Sequence, residues 1–144
     1  MPSETIAIAS DHGALELKNA LTEDLERRGF SVLDLGTDGP DAVDYPDFAD
    51  ALASAIREGR AARGVLLCGS GIGMSIAANR HREIRAALVH DNLAARIARR
   101  HNDANVLVMG GRFIGMEVAK DCLAAFLDTE FEGGRHARRV AKLS

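Results

Sequence analysis

The chain has 144 residues, with 47% hydrophobic side chains, 27% charged ones and only 3 prolines. That balance fits one globular domain with its own core and excludes a disordered or linker-dominated chain. A net charge of −3 argues against bulk attraction to nucleic acid, and no apolar run approaches the roughly 20 residues of a membrane span.

The charge is unevenly spread. Residues 1–50 hold 12 acids and 3 bases, residues 51–144 hold 9 acids and 15 bases, and the closing GGRHARRVAKLS has no acid at all. Such an end can grip a small anion locally. The opening MPSETIAIAS has neither a basic stretch nor a long apolar one, so no secretory signal is expected. Two cysteines, Cys68 and Cys122, make no disulfide framework, and no Cys/His group has zinc-like spacing. The expected compartment is the reducing cytoplasm, with no metal, no membrane and no nucleic acid as partner.

Thr5–Ala9 is a β-branched run and reads as the first strand, closed by Ser10-Asp11-His12-Gly13. Leu17, Leu21 and Leu25 recur every fourth residue, the stripe of an amphipathic helix that Gly29 stops. Ser31–Leu35 is a second strand, followed by the loop GTDGPDAVDYPD. Phe48, Leu52, Ala55 and Ile56 mark a second helix. Val65–Cys68 is apolar throughout, as a strand covered on both faces is; a glycine-rich turn and a helix through Ala78 follow. Arg85–Val89 is a fourth strand, and Asp91 caps a helix with Leu93, Ala94, Ile97 and Ala98. Asn105–Met109 is a fifth strand. Val118, Cys122, Leu123 and Phe126 mark another helix, and the tail adds one basic helical turn or more.

Five strands alternating with helices predict a single α/β domain over residues 1–144. Its expected form is a Rossmann-like three-layer sandwich: a five-stranded parallel sheet flanked by helices. Such sheets bind ligands beyond the C-terminal ends of the strands, where strand order reverses. Asp11-His12, Cys68 to Gly73 and His90-Asp91 sit at those ends.

The strongest local signal is Cys68-Gly69-Ser70-Gly71-Ile72-Gly73. Alternating glycines let backbone N–H groups turn inward, and the following helix adds positive potential, so an oxyanion or phosphate fits there. Met74 stands where a dinucleotide fingerprint needs its last glycine, and no GK[ST] follows. For Cys68 two readings stand: a thiolate base or nucleophile activated at a helix N-terminus, or a small buried hydrophobe at a strand end. Cys122 lies on an apolar stripe and reads as core. Asp11 is a helix cap that can also touch a ligand. His101, with Asn102 beside it, ends a helix whose C-terminus favours a protonated imidazole, which suits a general acid; the alternative is an ordinary solvated histidine. Arg135 and Arg139, four apart, share one helical face, and Arg112 follows the fifth strand; arginine suits bidentate phosphate contacts. His81, His90 and His136 show no metal-ligand spacing and read as surface or turn residues.

Together with Asp44-Tyr45-Pro46-Asp47, His101-Asn102-Asp103-Ala104-Asn105 and Gly110-Gly111-Arg112, these segments resemble type B ribose-5-phosphate isomerase over nearly the whole chain. The same family holds galactose-6-phosphate isomerase subunits and allose-6-phosphate isomerases. The resemblance implies an aldose–ketose isomerase of the pentose phosphate pathway that uses neither metal nor organic cofactor. It implies Cys68 as the base that moves a proton between C1 and C2 through a cis-enediolate. Ser70 and the Gly69, Gly71, Ile72 and Gly73 backbone would stabilise the enediolate oxygen. His101 would open the sugar ring, with Asp11 near the ring oxygen and Asn102 on a hydroxyl. His12, Arg112, Arg135 and Arg139 would hold or line the phosphate. It also implies a homodimer or homotetramer with sites shared between subunits.

The chain departs from the pattern in small ways. Gly13-Ala14 swaps two small residues that the family often has in the other order, and Ser70 stands where many members have Thr. One branch uses a Glu base at the position of Met74, which cannot act as one. The competing expectations are a hexose-6-phosphate isomerase, for allose 6-phosphate or galactose 6-phosphate, and a non-catalytic phosphate- or nucleotide-binding module on the same glycine loop.

Overall fold

In the computed structural model residues 4–144 are described; Met1, Pro2 and Ser3, which open the stretch read for a signal, lie outside the described residues. Five strands form one sheet: β1 (Thr5–Ser10), β2 (Ser31–Asp34), β3 (Arg63–Cys68), β4 (Ala86–Leu88) and β5 (Val106–Gly110). Every pairing is parallel, in the order β2-β1-β3-β5-β4. The helices are α1 (Leu15–Arg27), α2 (Tyr45–Arg57), α3 (Ile72–Ala78), α4 (Asn92–Asn102), α5 (Met116–Asp128) and α6 (Arg135–Ala141). No helix among the described residues is long and apolar enough to cross a membrane.

Strand alternation sorts the core into two layers. Ile6 and Ile8 of β1, Val65 and Leu67 of β3, and Leu107 and Met109 of β5 face α1, α4 and α5. Ala7, Ala9, Leu66, Cys68, Val106 and Val108 face α2 and α3. The predicted leucine stripe of α1 is fully used: Leu17, Leu21 and Leu25 are all buried. On α5, Cys122, Leu123 and Phe126 are buried; a large apolar side chain of this kind contributes about 1.5–3 kcal/mol when taken out of water.

The differences from the sequence reading lie at element ends. α2 starts at Tyr45, inside the segment read as loop, because Pro46 occupies the first turn, where no amide donor is needed. β4 is limited to Ala86–Leu88 at the sheet edge. β5 begins one residue late, at Val106; the Asn105 side chain before it accepts from the Arg85 N–H and donates to the Glu83 carbonyl, both at 2.8 Å. Of the residues that marked these helices, Leu93 and Val118 are 58% and 42% exposed, while Ala98 is buried together with Ala95 and Ala119. The Asp91 cap forms as expected, its carboxylate accepting from the Ala94 N–H at 2.8 Å.

The chain runs from β1 out to β2, then crosses back to β3 on the other side of β1. The C-terminal ends of β1 and β3 therefore flank the reversal point, and they carry Asp11 and Cys68.

Candidate active site

A cleft of about 490 Å³ opens at that reversal point, lined by Asp11, His12, Gly13, Tyr45, Cys68, Gly69, Ser70, Ile72, Gly73, Ile76 and Arg112. Eight of the thirteen predicted site residues meet there; the Gly71 backbone sits just beneath. The Cys68 side chain is only 4% exposed, and its Sγ accepts a hydrogen bond from the Gly71 N–H at 3.1 Å. The loop amide is thus aimed at the sulfur. Ser70 Oγ accepts from the Ile72 N–H at 3.1 Å.

The loop is held from below by β5. Gly111 N–H donates to the Cys68 carbonyl and Arg112 N–H to the Gly69 carbonyl, both at 2.9 Å. Gly71 has φ 79°, and a Cβ there would sit 2.6 Å from Leu88 Cδ1 and 2.9 Å from the Met109 carbonyl carbon. A side chain at Gly110 would collide with the Ser70 backbone. Glycine is thus required on both sides of the turn that presents Cys68.

Asp11 caps the 3-10 turn His12–Ala14, its Oδ1 accepting from the Gly13 N–H at 3.0 Å. His12 Nδ1 accepts from the Val43 N–H at 3.2 Å. That bond places the ring proton on Nε2, leaving an N–H donor at the cleft. Arg112 is exposed, with its guanidinium stem beside Gly69.

The remaining predicted residues lie elsewhere. His101, Asn102 and Arg139 line a second cleft of about 310 Å³ between α4 and α6, with His136, Val140 and Leu143. The two clefts have no lining residue in common. Arg135, on α6 with Arg139, is exposed and lines neither. The αL residue Asp103 (φ 46°) ends α4 directly after Asn102. Arg99 locks that end, bonding Asp103 Oδ1 at 2.9 Å and the Ala104 carbonyl at 2.8 Å.

His136 corrects the sequence reading: it is no surface residue. It is 8% exposed, and its ring stacks on that of His101, with centroids 4.3 Å apart and planes 13° apart. Burial, then His101 and Arg135, hold its pKa below the ordinary imidazole value. The only sequence signal was an acid, Glu132, four residues before it. His81 and His90 do match their reading; His81 lies at the surface against Asp50, at 2.8 Å, and His90 is exposed.

His101, Glu132 and His136 bring ligand atoms within 4.8 Å of one another, a grouping the sequence spacing did not show. Stacked rings keep their in-plane lone pairs parallel rather than convergent, and Arg135 and Arg139 add positive charge. The group therefore fits a cation poorly. Tyr45 and Ile76 are further cleft residues that the sequence reading left unassigned; Tyr45 packs its ring over Gly73. Cys122, at 0% exposure, is the opposite of Cys68. Burial, helped by Asp121 and Asp91, pushes its pKa up to about 11.

This arrangement sets a sulfur beside loop amides, with the Arg112 guanidinium and the His12 ring in the same cleft. The sequence profile described as Ribose/Galactose Isomerase matches residues 6–143. The chain belongs to the ribose/galactose isomerase family. The chain is 48% identical over 141 residues to D-erythrulose-4-phosphate isomerase of Pectobacterium atrosepticum, covering 96% of this chain and 92% of that one. It is 41% identical over 139 residues to ribose-5-phosphate isomerase B of Escherichia coli K12, covering 96% and 93%. The crystal structure of a ribose 5-phosphate isomerase from Thermotoga maritima superposes with a TM-score of 0.95, at 51% identity and 97% coverage of both chains. Within the ribose/galactose isomerase family this chain is a sugar-phosphate isomerase.

Proposed function

We propose that the chain interconverts ribose 5-phosphate and ribulose 5-phosphate, with Cys68 as the base. The observation that carries this reading is the buried Cys68 thiol, hydrogen-bonded to a loop amide at the reversal point of the sheet. The relative from Escherichia coli and the Thermotoga structure are named for that substrate.

The reaction runs in three stages. His101 gives a proton to the ring oxygen while the O1–H proton passes to solvent water, so the sugar opens to its aldehyde; Asp11 and Asn102 hold hydroxyls. Cys68 thiolate takes the C2 proton, and the electron pair moves onto O1 as a cis-enediolate forms. The thiol returns the proton to C1 while the O2 proton passes to O1, leaving a ketone at C2. Charge builds on oxygen in the middle stage, which is where loop amides and the Ser70 hydroxyl act. Losing one such donor typically costs about 10²–10³ in rate. His12 Nε2–H, Arg112, Arg135 and Arg139 hold the phosphate, whose binding energy orients the distant carbons.

Cys68 and His101 line separate clefts of one chain. We therefore assign the complete site to two copies, in a homodimer or homotetramer, with the basic tail of one chain closing the cleft of the other. The setting is the cytoplasmic pentose phosphate pathway.

The test is turnover. Purified protein should convert ribose 5-phosphate to ribulose 5-phosphate, and Cys68→Ala should lose about 10³-fold or more in kcat with its fold intact. Wild-type-like turnover by that variant ends the thiolate mechanism. The relative named for erythrulose 4-phosphate is as similar in sequence as those named for ribose 5-phosphate, so erythrulose 4-phosphate, allose 6-phosphate and galactose 6-phosphate belong in the same assay. A kcat/KM at least about tenfold higher on one of these, roughly 1.4 kcal/mol of transition-state binding, reassigns the substrate.

A further inference from the structure

We infer that His136 is a positioning residue for His101: a buried aromatic partner that fixes the ring plane of the group that opens the sugar. The inference rests on the role proposed for His101 above.

His136 is the one buried residue of α6; Arg135, Ala137, Arg138 and Arg139 around it are exposed. The short helix therefore docks through this ring. The preceding segment is tied to the end of α4, since Glu132 N–H donates to the Arg100 carbonyl at 3.1 Å, and His136 N–H donates to the Gly133 carbonyl at 3.0 Å. His136 is thus held by backbone on one side and by the His101 ring on the other.

Its polar atoms do not explain its burial. His136 Nε2 is buried with no hydrogen-bond partner, and the nearest carboxylate oxygen, Glu132 Oε1, is 3.6 Å away. A buried imidazole nitrogen left unpaired costs free energy, so the stack with His101 is what the position gains. The charged and titratable groups around the ring are His101 on α4, Glu132 before α6, and Arg135 and Arg139 on α6. The last two and His101 disfavour a proton on His136, and Glu132 alone favours one. A neutral ring can face an imidazolium favourably; two imidazolium rings repel. A neutral His136 ring can therefore lie flat on His101 without charge repulsion. His101 keeps a defined ring plane, which is what ring opening asks of it.

Ring opening can be separated from the proton transfer at carbon. Ribose 5-phosphate is mostly a furanose and must open. Ribulose 5-phosphate has its 5-oxygen esterified and stays open-chain, so exchange of its C1 proton with D2O reports the Cys68 step without any ring. In His136→Ala, turnover of ribose 5-phosphate should fall about tenfold, while C1 exchange and KM stay within about twofold of wild type. His136→Phe keeps a flat ring and should restore most of the lost turnover. Side-chain NMR of the substrate-free protein should show His101 ring protons shifted upfield in wild type and not in His136→Ala.

The inference fails if turnover and exchange fall together in His136→Ala, if neither falls, or if His136→Phe is no better than alanine. A wild-type chain with no activity on ribose 5-phosphate overturns the functional reading, and the positioning role with it. Normal wild-type activity with an unselective His136→Ala defect overturns the positioning role alone.

Discussion

In the cleft at the ends of β1 and β3 the geometry is set by backbone. Glycines at 71 and 110 allow chain segments to touch, amides of Gly111 and Arg112 fasten the loop to β5, and the thiol is fixed by an amide. In the cleft between α4 and α6 the geometry is set by side chains. Two imidazoles stack, Arg99 locks the helix end, and Arg139 reaches in from an exposed helix face. A loop fixed by backbone contacts has little room to adjust, so it fails all at once. A side-chain-built cleft can be altered one group at a time, with graded loss.

The sharpest way to break that contrast is Gly71→Ala. The added methyl meets Met109 backbone as well as Leu88, at a φ of 79°. We expect a loss of about 2 kcal/mol or more in unfolding free energy, with turnover nearly abolished; a stable, active variant would show that the loop is adjustable after all. Arg139→Ala, in the other cleft, should leave unfolding within about 0.5 kcal/mol of wild type and raise KM for a phosphorylated sugar about tenfold. Arg135→Ala should do less than Arg139→Ala, because Arg135 lies outside the lining of the cleft; equal effects would mean that a second chain reshapes α6. The smallest effect is chemical. At pH 8 Cys122, with its pKa pushed up to about 11, stays a buried thiol. Iodoacetamide should therefore add one label, at Cys68, and ribose 5-phosphate should slow it; mass spectrometry of the peptides decides.

The sheet was readable because period-two burial and apolar runs mark it directly: Ile6, Ile8 and Val65 to Cys68 allow no other element. The Cys68 loop was readable from its glycines alone. The second cleft was not. His136 becomes buried only because α6 folds back on α4, a contact between segments far apart in sequence, and its own neighbours are all arginines and small residues. Arg135 and Arg139 share a face by spacing, yet docking gives only one of them the cleft. Tyr45 was hidden by Pro46, which looks like loop and starts a helix. In each case local pattern named the residue type and tertiary contact decided its use.

The sheet is bounded by its two shortest strands, β2 with 4 residues and β4 with 3. Unpaired strand edges are templates for adding another chain, and short ones offer few free amides and carbonyls. Growth by edge-to-edge pairing is therefore disfavoured, which lowers the risk of fibrillar aggregation. Copies that meet to complete a site must do so through helix and loop surfaces, where partner choice is written in side chains rather than in generic backbone.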